Sequence, residues 1–544
     1  MLRLSRLRTS NPWVVLLVLC AGFFMILLDL TVVNIAIPSI VDDLHAQLDS
    51  VLWVLNGYML VYAVLLITAG RMGDFYGQRN MFALGLVVFT AASAYCGLAP
   101  DIGHLQAARV VQGVGGALIT PQTLAILTAI FPSDRRGAAF GVWGGVAGVA
   151  SVAGPTLGGF LVTAWGWRAI FYMNLPIGAL TLLATFLVVP DLRPGRRLSP
   201  DILGIVLATA GLFAIVFALI EGQRFNWGPI WGPVSIPLLL VLGVVLIAVF
   251  VLWERAQTDA LMPLSLFRNR NFALLNWVGV VVSFGMLGMF LTVVIYLQSV
   301  LNLSPLAAGL TMAPSSVVSM ILAPIAGRMS DKLGGKYILL AGLLLFAAGM
   351  GWLTVSVSLT ATPWTFVAPF SVAGFGMGMV FSPMATVAMR NVSPAMAGAA
   401  SGVYNSIRQM GSVIGSSVVG AILQSKLAEA LTVRASSAST QLPPDLRQPF
   451  LQSLRQLTGG GLEVGPAQIA SIPLPPGTPP DLAQQVQQLF HSVFANAFVD
   501  AVKPSLVAPV ILILVGAAST LFIERRKRNR QGAEPPMEVL AVAG

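Results

Sequence analysis

The sequence predicts an all-α polytopic membrane protein, and three observations carry that prediction. Hydrophobic residues make up 56% of the 544 residues and charged residues only 10%, against roughly 25% charged in a soluble domain; the mean hydropathy is +0.83. Apolar runs recur along the chain at about 20 residues, the length a helix needs to cross a bilayer with its backbone polar groups satisfied internally. One segment is also written twice. Gly70-Arg71-Met72-Gly73-Asp74-Phe75-Tyr76-Gly77-Gln78-Arg79 returns as Gly327-Arg328-Met329-Ser330-Asp331-Lys332-Leu333-Gly334-Gly335-Lys336, so the chain holds two related halves. Internal repeats in a polytopic protein point to a transporter.

Taken in order, the runs place fourteen spans near 13–36, 51–69, 80–99, 103–130, 137–163, 169–189, 202–221, 234–253, 272–298, 306–326, 337–357, 364–389, 397–425 and 502–523. The distribution of positive charge tests this placement, because cytoplasmic loops carry an excess of Lys and Arg. With the N-terminus inside, 22 of the 31 Lys and Arg fall on the cytoplasmic side, from Arg3, Arg6 and Arg8 to the cluster Arg525 to Arg530. Short external loops hold only Arg168 and Arg224, and the acidic Asp42, Asp43 and Asp49 fall outside. An odd number of spans would put the last basic cluster on the wrong side. Both termini are therefore expected in the cytoplasm of a multi-pass protein of the cytoplasmic membrane.

The net charge of +10 faces anionic lipid from the inner loops and needs no nucleic acid to explain it. Cys20 and Cys96 lie inside apolar spans, so no disulfide framework or metal-binding Cys spacing is present. Arg3, Arg6 and Arg8 precede an apolar run too long for a signal peptide and lacking an Ala-x-Ala ending; it reads as an uncleaved first span. His45, His104 and His491 are scattered, with no Ser-His-Asp set, metal site or phosphate loop, which argues against an enzyme, a metal or a cofactor. The one long hydrophilic segment, about 426 to 500, falls outside between the last two spans. Within it, Pro444 to Leu457 and Asp481 to Phe498 have helical apolar spacing, so amphipathic helices on the outer face and a solvated loop are both open readings.

The repeated segment resembles the signature loop of the major facilitator superfamily. Leu28-Asp29-Leu30-Thr31-Val32-Val33-Asn34-Ile35-Ala36-Ile37-Pro38 is similar to the first-helix motif of its fourteen-span drug:proton antiporters, and Leu105 to Gly116 to their fourth-helix motif. Gly141, Gly144, Gly145, Gly148 and Gly154-Pro155-Thr156-Leu157-Gly158-Gly159 resemble the antiporter motif of exporters, and Trp167 to Gly178 completes the series. The resemblance implies the major facilitator fold, two six-helix bundles with two inserted helices. The corresponding boundaries are 1–190 for the N-terminal bundle, 191–271 for the two linker helices, 272–425 for helices nine to thirteen, 426–501 for an extracytoplasmic loop, 502–523 for the last span and 524–544 for a cytoplasmic tail.

Each motif has its own physics. Small residues let helices approach closely in lipid, where association rests on backbone packing; Gly148, Gly154, Gly158 and Gly159 fit that use, and Pro155 beside them is a place to bend a span. In the family the signature loop is a conformational latch, which here assigns Gly70, Arg71, Asp74, Gly77, Arg79, Asp331 and Lys332 to that role. A carboxylate at a helix N-terminus beside basic groups gains charge-assisted bonds that depend on neighbouring helices keeping register. Phe75 stands where a basic residue is usual, so the first loop's charge network is expected to be thinner.

Asp29, Arg109 and Arg408 cannot be placed in any loop, and a mid-span charge costs about 2.5 to 3.5 kcal/mol on insertion scales. Asp29 and Arg109 share a half and are the expected proton-coupling pair, with a static structural pair as the alternative. Aligning the halves sets Phe290 opposite Asp29 and Ser371 opposite Arg109, so proton handling should sit in the first half. Asn34, Gln112, Phe284, Met289, Met377, Phe381 and Arg408 are the expected substrate cavity, the methionines serving as adaptable apolar wall. Arg408 has no acidic partner that the sequence identifies. The function this implies is proton-coupled export of amphipathic, cationic or neutral toxic molecules by alternating access. Its partners would be small substrates, protons and the bilayer, and it would act as a monomer without nucleic acid. A dedicated exporter of one metabolite, lipid or self-made antibiotic stays open beside it.

Overall fold

The computed structural model describes residues 11–132, 135–192, 199, 201–459 and 479–524. The expected Arg3, Arg6, Arg8, Arg193, Arg196, Arg197 and the Arg525 to Arg530 cluster lie outside the described residues. The first half comprises α1 (Pro12–Leu44), α2 (Leu48–Tyr76), α3 (Gln78–Leu98), α4 (Ile102–Ile130), α5 (Arg136–Trp165) and the pair α6 (Ala169–Tyr172) and α7 (Asn174–Val188). Two inserted helices follow, α8 (Ile202–Glu221) and α9 (Ile236–Glu254), which pack on each other, with α8 lying against α2. The second half comprises α10 (Ser265–Arg268), α11 (Arg270–Ser299), α12 (Pro305–Leu333), α13 (Gly335–Ser356), α14 (Val367–Ala388), α15 (Ala397–Ser439), α16 (Pro444–Gly459) and α17 (Pro480–Thr520).

Every expected span is a helix. Local chemistry starts several of them: Asp101 caps α4, Asp201 caps α8, Ser235 caps α9 and Ser304 caps α12 ahead of Pro305, each side chain accepting a backbone N–H of the first turn. The His104 N–H donated to Asp101 holds that carboxyl below its ordinary value. Among the described residues, twelve helices are long and apolar enough to cross a membrane. The other two expected spans, α5 and α15, are rich in Gly and Ser and lie on the seam between the halves, where α5 packs on α12 and α14, and α15 on α2 and α4.

Two features depart from expectation. A small antiparallel hairpin, β1 (Pro229–Trp231) and β2 (Val234–Ser235), joins α8 to α9 and interrupts an otherwise helical chain. More consequentially, the boundaries expected at 425/426 and 501/502 fall inside α15 and α17, which run on without a break. At 1.5 Å per residue the 43 residues of α15 extend about 64 Å, twice the ~30 Å hydrocarbon thickness. The expected loop is therefore largely a helical cap, in which α16 packs on α15 and α17; residues 460–478 lie outside the described residues.

The cap has a small apolar core of its own. Phe450 and Phe490 meet edge to face at 6.3 Å between ring centres, and Leu446, Val486 and Phe494 are buried with them. Outside that core, Arg434 and Asp500 form an exposed ion pair at 2.6 Å linking α15 to α17. Burial decides which matters more. Phe450→Ala is expected to cost about 3 to 5 kcal/mol of cap stability and to open α16 to limited proteolysis, whereas Arg434→Ala should cost under about 1 kcal/mol and leave the digestion pattern unchanged.

Candidate functional site

Asp29 on α1 and Arg109 on α4 meet as a buried ion pair, 1% and 0% exposed. The Arg109 Nη1 donates to Asp29 Oδ2 and, at 2.7 Å, to Gln112 Oε1. Gln112 Nε2 and Asn174 Nδ2 donate to Asp29 Oδ1 at 3.0 and 3.2 Å, and Arg109 Nε donates to the Val54 carbonyl at 3.0 Å. One carboxylate thus ties together α1, α4 and α7, while its arginine reaches α2. The guanidinium also lies over the Tyr58 ring, 4.3 Å from its centre, an arrangement that favours a cation. Arg109 Nη2 and the Tyr58 hydroxyl are both buried without a hydrogen-bond partner.

This corrects the expected placement of Gln112, which belongs to the ion pair and not to an open cavity. Asn174 and Tyr58 were missed by the sequence reading, although Asn174 lay inside a motif already singled out. Its role depends on a three-dimensional contact 145 residues away along the chain.

The repeated segments are not loops. Each is the last two turns of a helix followed by one glycine with positive φ, Gly77 at 92° and Gly334 at 86°, where the chain turns into the next helix. Asp74 on α2 is 2% exposed and accepts from the N–H groups of Gly398 and Ala399 at 2.9 and 2.8 Å, the N-terminus of α15. Asp331 on α12 accepts from the N–H groups of Gly137 and Ala138 at 2.8 and 3.0 Å, the N-terminus of α5. Each half therefore supplies a carboxylate that caps a helix of the other half, and the two clamps are reciprocal. Close backbone approach makes room for them: a Cβ at Gly70 would strike Gly398 and Gly402, and one at Gly327 would strike Gly137.

The basic partners divide. Arg71 is buried beside Asp74, with its guanidinium 3.7 Å away, and rests over Phe75, 5.1 Å from the ring centre. Arg79 does not join this clamp; it pairs with Asp191 at 3.3 Å. Lys332 is exposed and Lys336 donates to the Leu521 carbonyl at 2.6 Å. The helical register explains both, because three to four residues per turn carry these side chains away from the seam that Asp74 and Asp331 face.

Along α5, a side chain at Gly148 would meet the Ser316 carbonyl of α12, while side chains at Gly154 and Gly158 would meet Thr31 and Val32 of α1. One helix thus presents small residues both to its own half and to the other. Gly159 has open space before it and does not serve close approach. The backbone of α5 continues as helix through 155; the Pro155 side chain lies outside the described residues.

The expected substrate set disperses. Met289 is fully buried, and Phe284 and Met377 are buried in the second half, so these three form core and not wall. Asn34 is exposed on α1, its amide bonded to the Leu30 carbonyl at 2.9 Å. Phe381 and Arg408 remain together at the seam, with the guanidinium 5.3 Å from the Phe381 ring centre.

Comparison with known proteins agrees with this architecture. The profile of the Major Facilitator Superfamily matches residues 19–416. The chain is 42% identical over 456 residues to an uncharacterized MFS-type transporter of Mycobacterium tuberculosis, spanning 82% of this chain and 78% of the relative. It is 32% identical over 530 residues to the tetracenomycin C resistance and export protein of Streptomyces glaucescens, spanning 96% and 94%. Among solved structures, the human organic anion transporter MFSD10 (TETRAN) aligns with a TM-score of 0.59 over 93% of this chain and 100% of that one, at 13% identity, a likeness of fold alone.

The clamps can be tested by exposure of what they shut. Ser401 is fully buried, its hydroxyl donating to the Pro121 carbonyl across the seam at 2.7 Å. In purified protein lacking Cys20 and Cys96, Asp74→Asn removes charge assistance from two bonds. It should raise maleimide labelling of a cysteine replacing Ser401 by on the order of tenfold; an unchanged rate would mean that Asp74 does not hold the seam closed.

Proposed function

The chain belongs to the major facilitator superfamily, and on that premise we propose that it is a proton-coupled exporter of amphipathic small molecules, working by alternating access. The observation that carries the reading is the buried Asp29 with partners from α4 and α7, inside a molecule whose halves are joined at one end by reciprocal, breakable caps. Fourteen spans, with both termini and the clamped end facing the cytoplasm, fit the distribution of positive charge. The state described is then closed to the cytoplasm.

Asp29 is the group able to sense protons. Ionised, it accepts from Arg109, Gln112 and Asn174. Adding a proton cancels its charge and replaces one acceptor site with a donor, so the bonds that tie α1 to α4 and α7 weaken together. Arg109 would then need other acceptors, and Gln112 would lose its anchor. Protonation therefore changes the packing of the first half without the cargo touching Asp29. A proton moving inward releases about 2.3 kcal/mol per 100 mV, the energy available to move cargo outward.

Relatives named for resistance and export support a drug or antibiotic cargo. The test is dye efflux from energised cells lacking their own pumps, loaded with N-phenyl-1-naphthylamine. Wild type should lower retained dye several-fold, and a protonophore or Asp29→Asn should abolish that difference. Efflux that persists with the protonophore, or in the Asp29→Asn variant, would remove Asp29 from proton coupling.

A further inference from the structure

Arg408 lies 11 residues into α15, about 17 Å from the helix start and so near mid-membrane. Among the described residues it forms no ion pair, and its Nε is buried without a hydrogen-bond partner. Its guanidinium stands over two aromatic rings, Phe381 at 5.3 Å and Tyr404 at 5.6 Å, and the Phe381 Cβ lies 3.4 Å from where a side chain at Gly144 of α5, in the other half, would start. The residue is only partly buried. The other mid-span charges, Asp29 and Arg109, cancel each other. Among the described residues, the middle of the seam therefore carries one positive charge without a counter-ion, framed by the Phe381 and Tyr404 rings of its own half.

An arginine held at this depth without a counter-ion is costly, and a site that keeps it is built to receive one. We propose that Arg408 is the anchor for an anionic group on the transported molecule, an aromatic amphipath bearing a carboxylate, sulfonate or phenolate. Phe381, which is only partly buried, would stack on its rings while the guanidinium forks onto the anion and the buried Tyr404 backs the arginine. This assignment rests on the exporter reading for its location and changes the expected charge of the cargo. A permanent cation would meet like charge at the seam.

The test uses a matched pair of probes, 8-anilinonaphthalene-1-sulfonate and N-phenyl-1-naphthylamine, which share one ring system and differ by the sulfonate. Binding is read by fluorescence titration of the full-length protein in phosphatidylcholine nanodiscs, with empty discs subtracted. Arg408→Gln should weaken the sulfonate by at least about tenfold and leave the neutral dye within about twofold; Arg408→Lys, which keeps the charge but loses the fork, should retain only part of the preference. Equal loss of both dyes, or loss of neither, overturns the proposal. So does an Arg408-dependent loss of the sulfonate dye when phosphatidylglycerol replaces the lipid, because the headgroup would then be the occupant. Reconstituted transport under an imposed pH gradient separates the two readings. Charge-selective binding without transport of either dye would refute export while leaving the anion site in place.

Discussion

A carboxylate inside a bilayer has no water to solvate it, so the fold must bring donors to it, and where those donors sit decides what the carboxylate does. Three aspartates answer this demand in two ways. Asp29 is satisfied within one half, by an arginine and an amide of α4 and an amide of α7. Asp74 and Asp331 are satisfied across the seam, by the N-terminal N–H groups of helices belonging to the opposite half. The first arrangement makes the packing of one half depend on a buried charge. The second makes contact between halves conditional, because separation strips each carboxylate of its donors while leaving both halves internally intact.

Duplication accounts for what is symmetric here and divergence for what is not. The donors to Asp74 and Asp331 are equivalent positions, since Gly137-Ala138-Ala139 aligns with Gly398-Ala399-Ala400. A clamp that must close one end evenly gains from two identical copies. At the level of the ion pair the copies differ: Phe290 stands opposite Asp29, and Ser371, whose hydroxyl donates only to the Val367 carbonyl, stands opposite Arg109. The second half keeps a charge elsewhere, at Arg408, which has no counter-ion among the described residues. Mechanical symmetry and chemical asymmetry therefore occupy different depths of the same molecule.

Much of this was legible in the sequence because lipid imposes simple rules. Span length, basic loops and the repeated segment specified the helices and their order, and charges stranded inside apolar runs marked Asp29, Arg109 and Arg408. Other features depend on contacts that no local pattern encodes. Gln112 and Asn174 look like ordinary polar residues of a span until Asp29 is placed beside them. The reciprocity of the clamps requires knowing that α2 meets α15 and α12 meets α5. The cap was legible as amphipathic spacing, but hydropathy stops counting where a helix leaves the membrane, so the continuation of α15 and α17 was hidden. Gly159 shows the reverse error: it belongs to a glycine motif, yet only the faces of α5 turned to α1 and α12 need small residues.

The depth ordering has a mechanical consequence. The clamps lie at one end of the bundle, Arg408 near its middle and the Asp29–Arg109 pair nearer the opposite end, since Arg109 is only seven residues from the start of α4, about 10 Å. In an exporter of the kind proposed, coupling between proton and cargo would not rest on competition for one carboxylate, because Asp29 is sealed behind its own partners. It would pass through packing, and the first steps of such a path are in place: Arg109 lies over Tyr58, and Tyr58 stacks with Tyr62 at 6.0 Å and 7° between planes. A shift of Arg109 on protonation of Asp29 would move the Tyr58 ring beneath it, and with it the wall that Tyr62 presents to the seam. Two sites linked through packing bias one another's equilibrium in both directions, so on this reading occupancy of the seam would in turn be felt in the packing around Asp29.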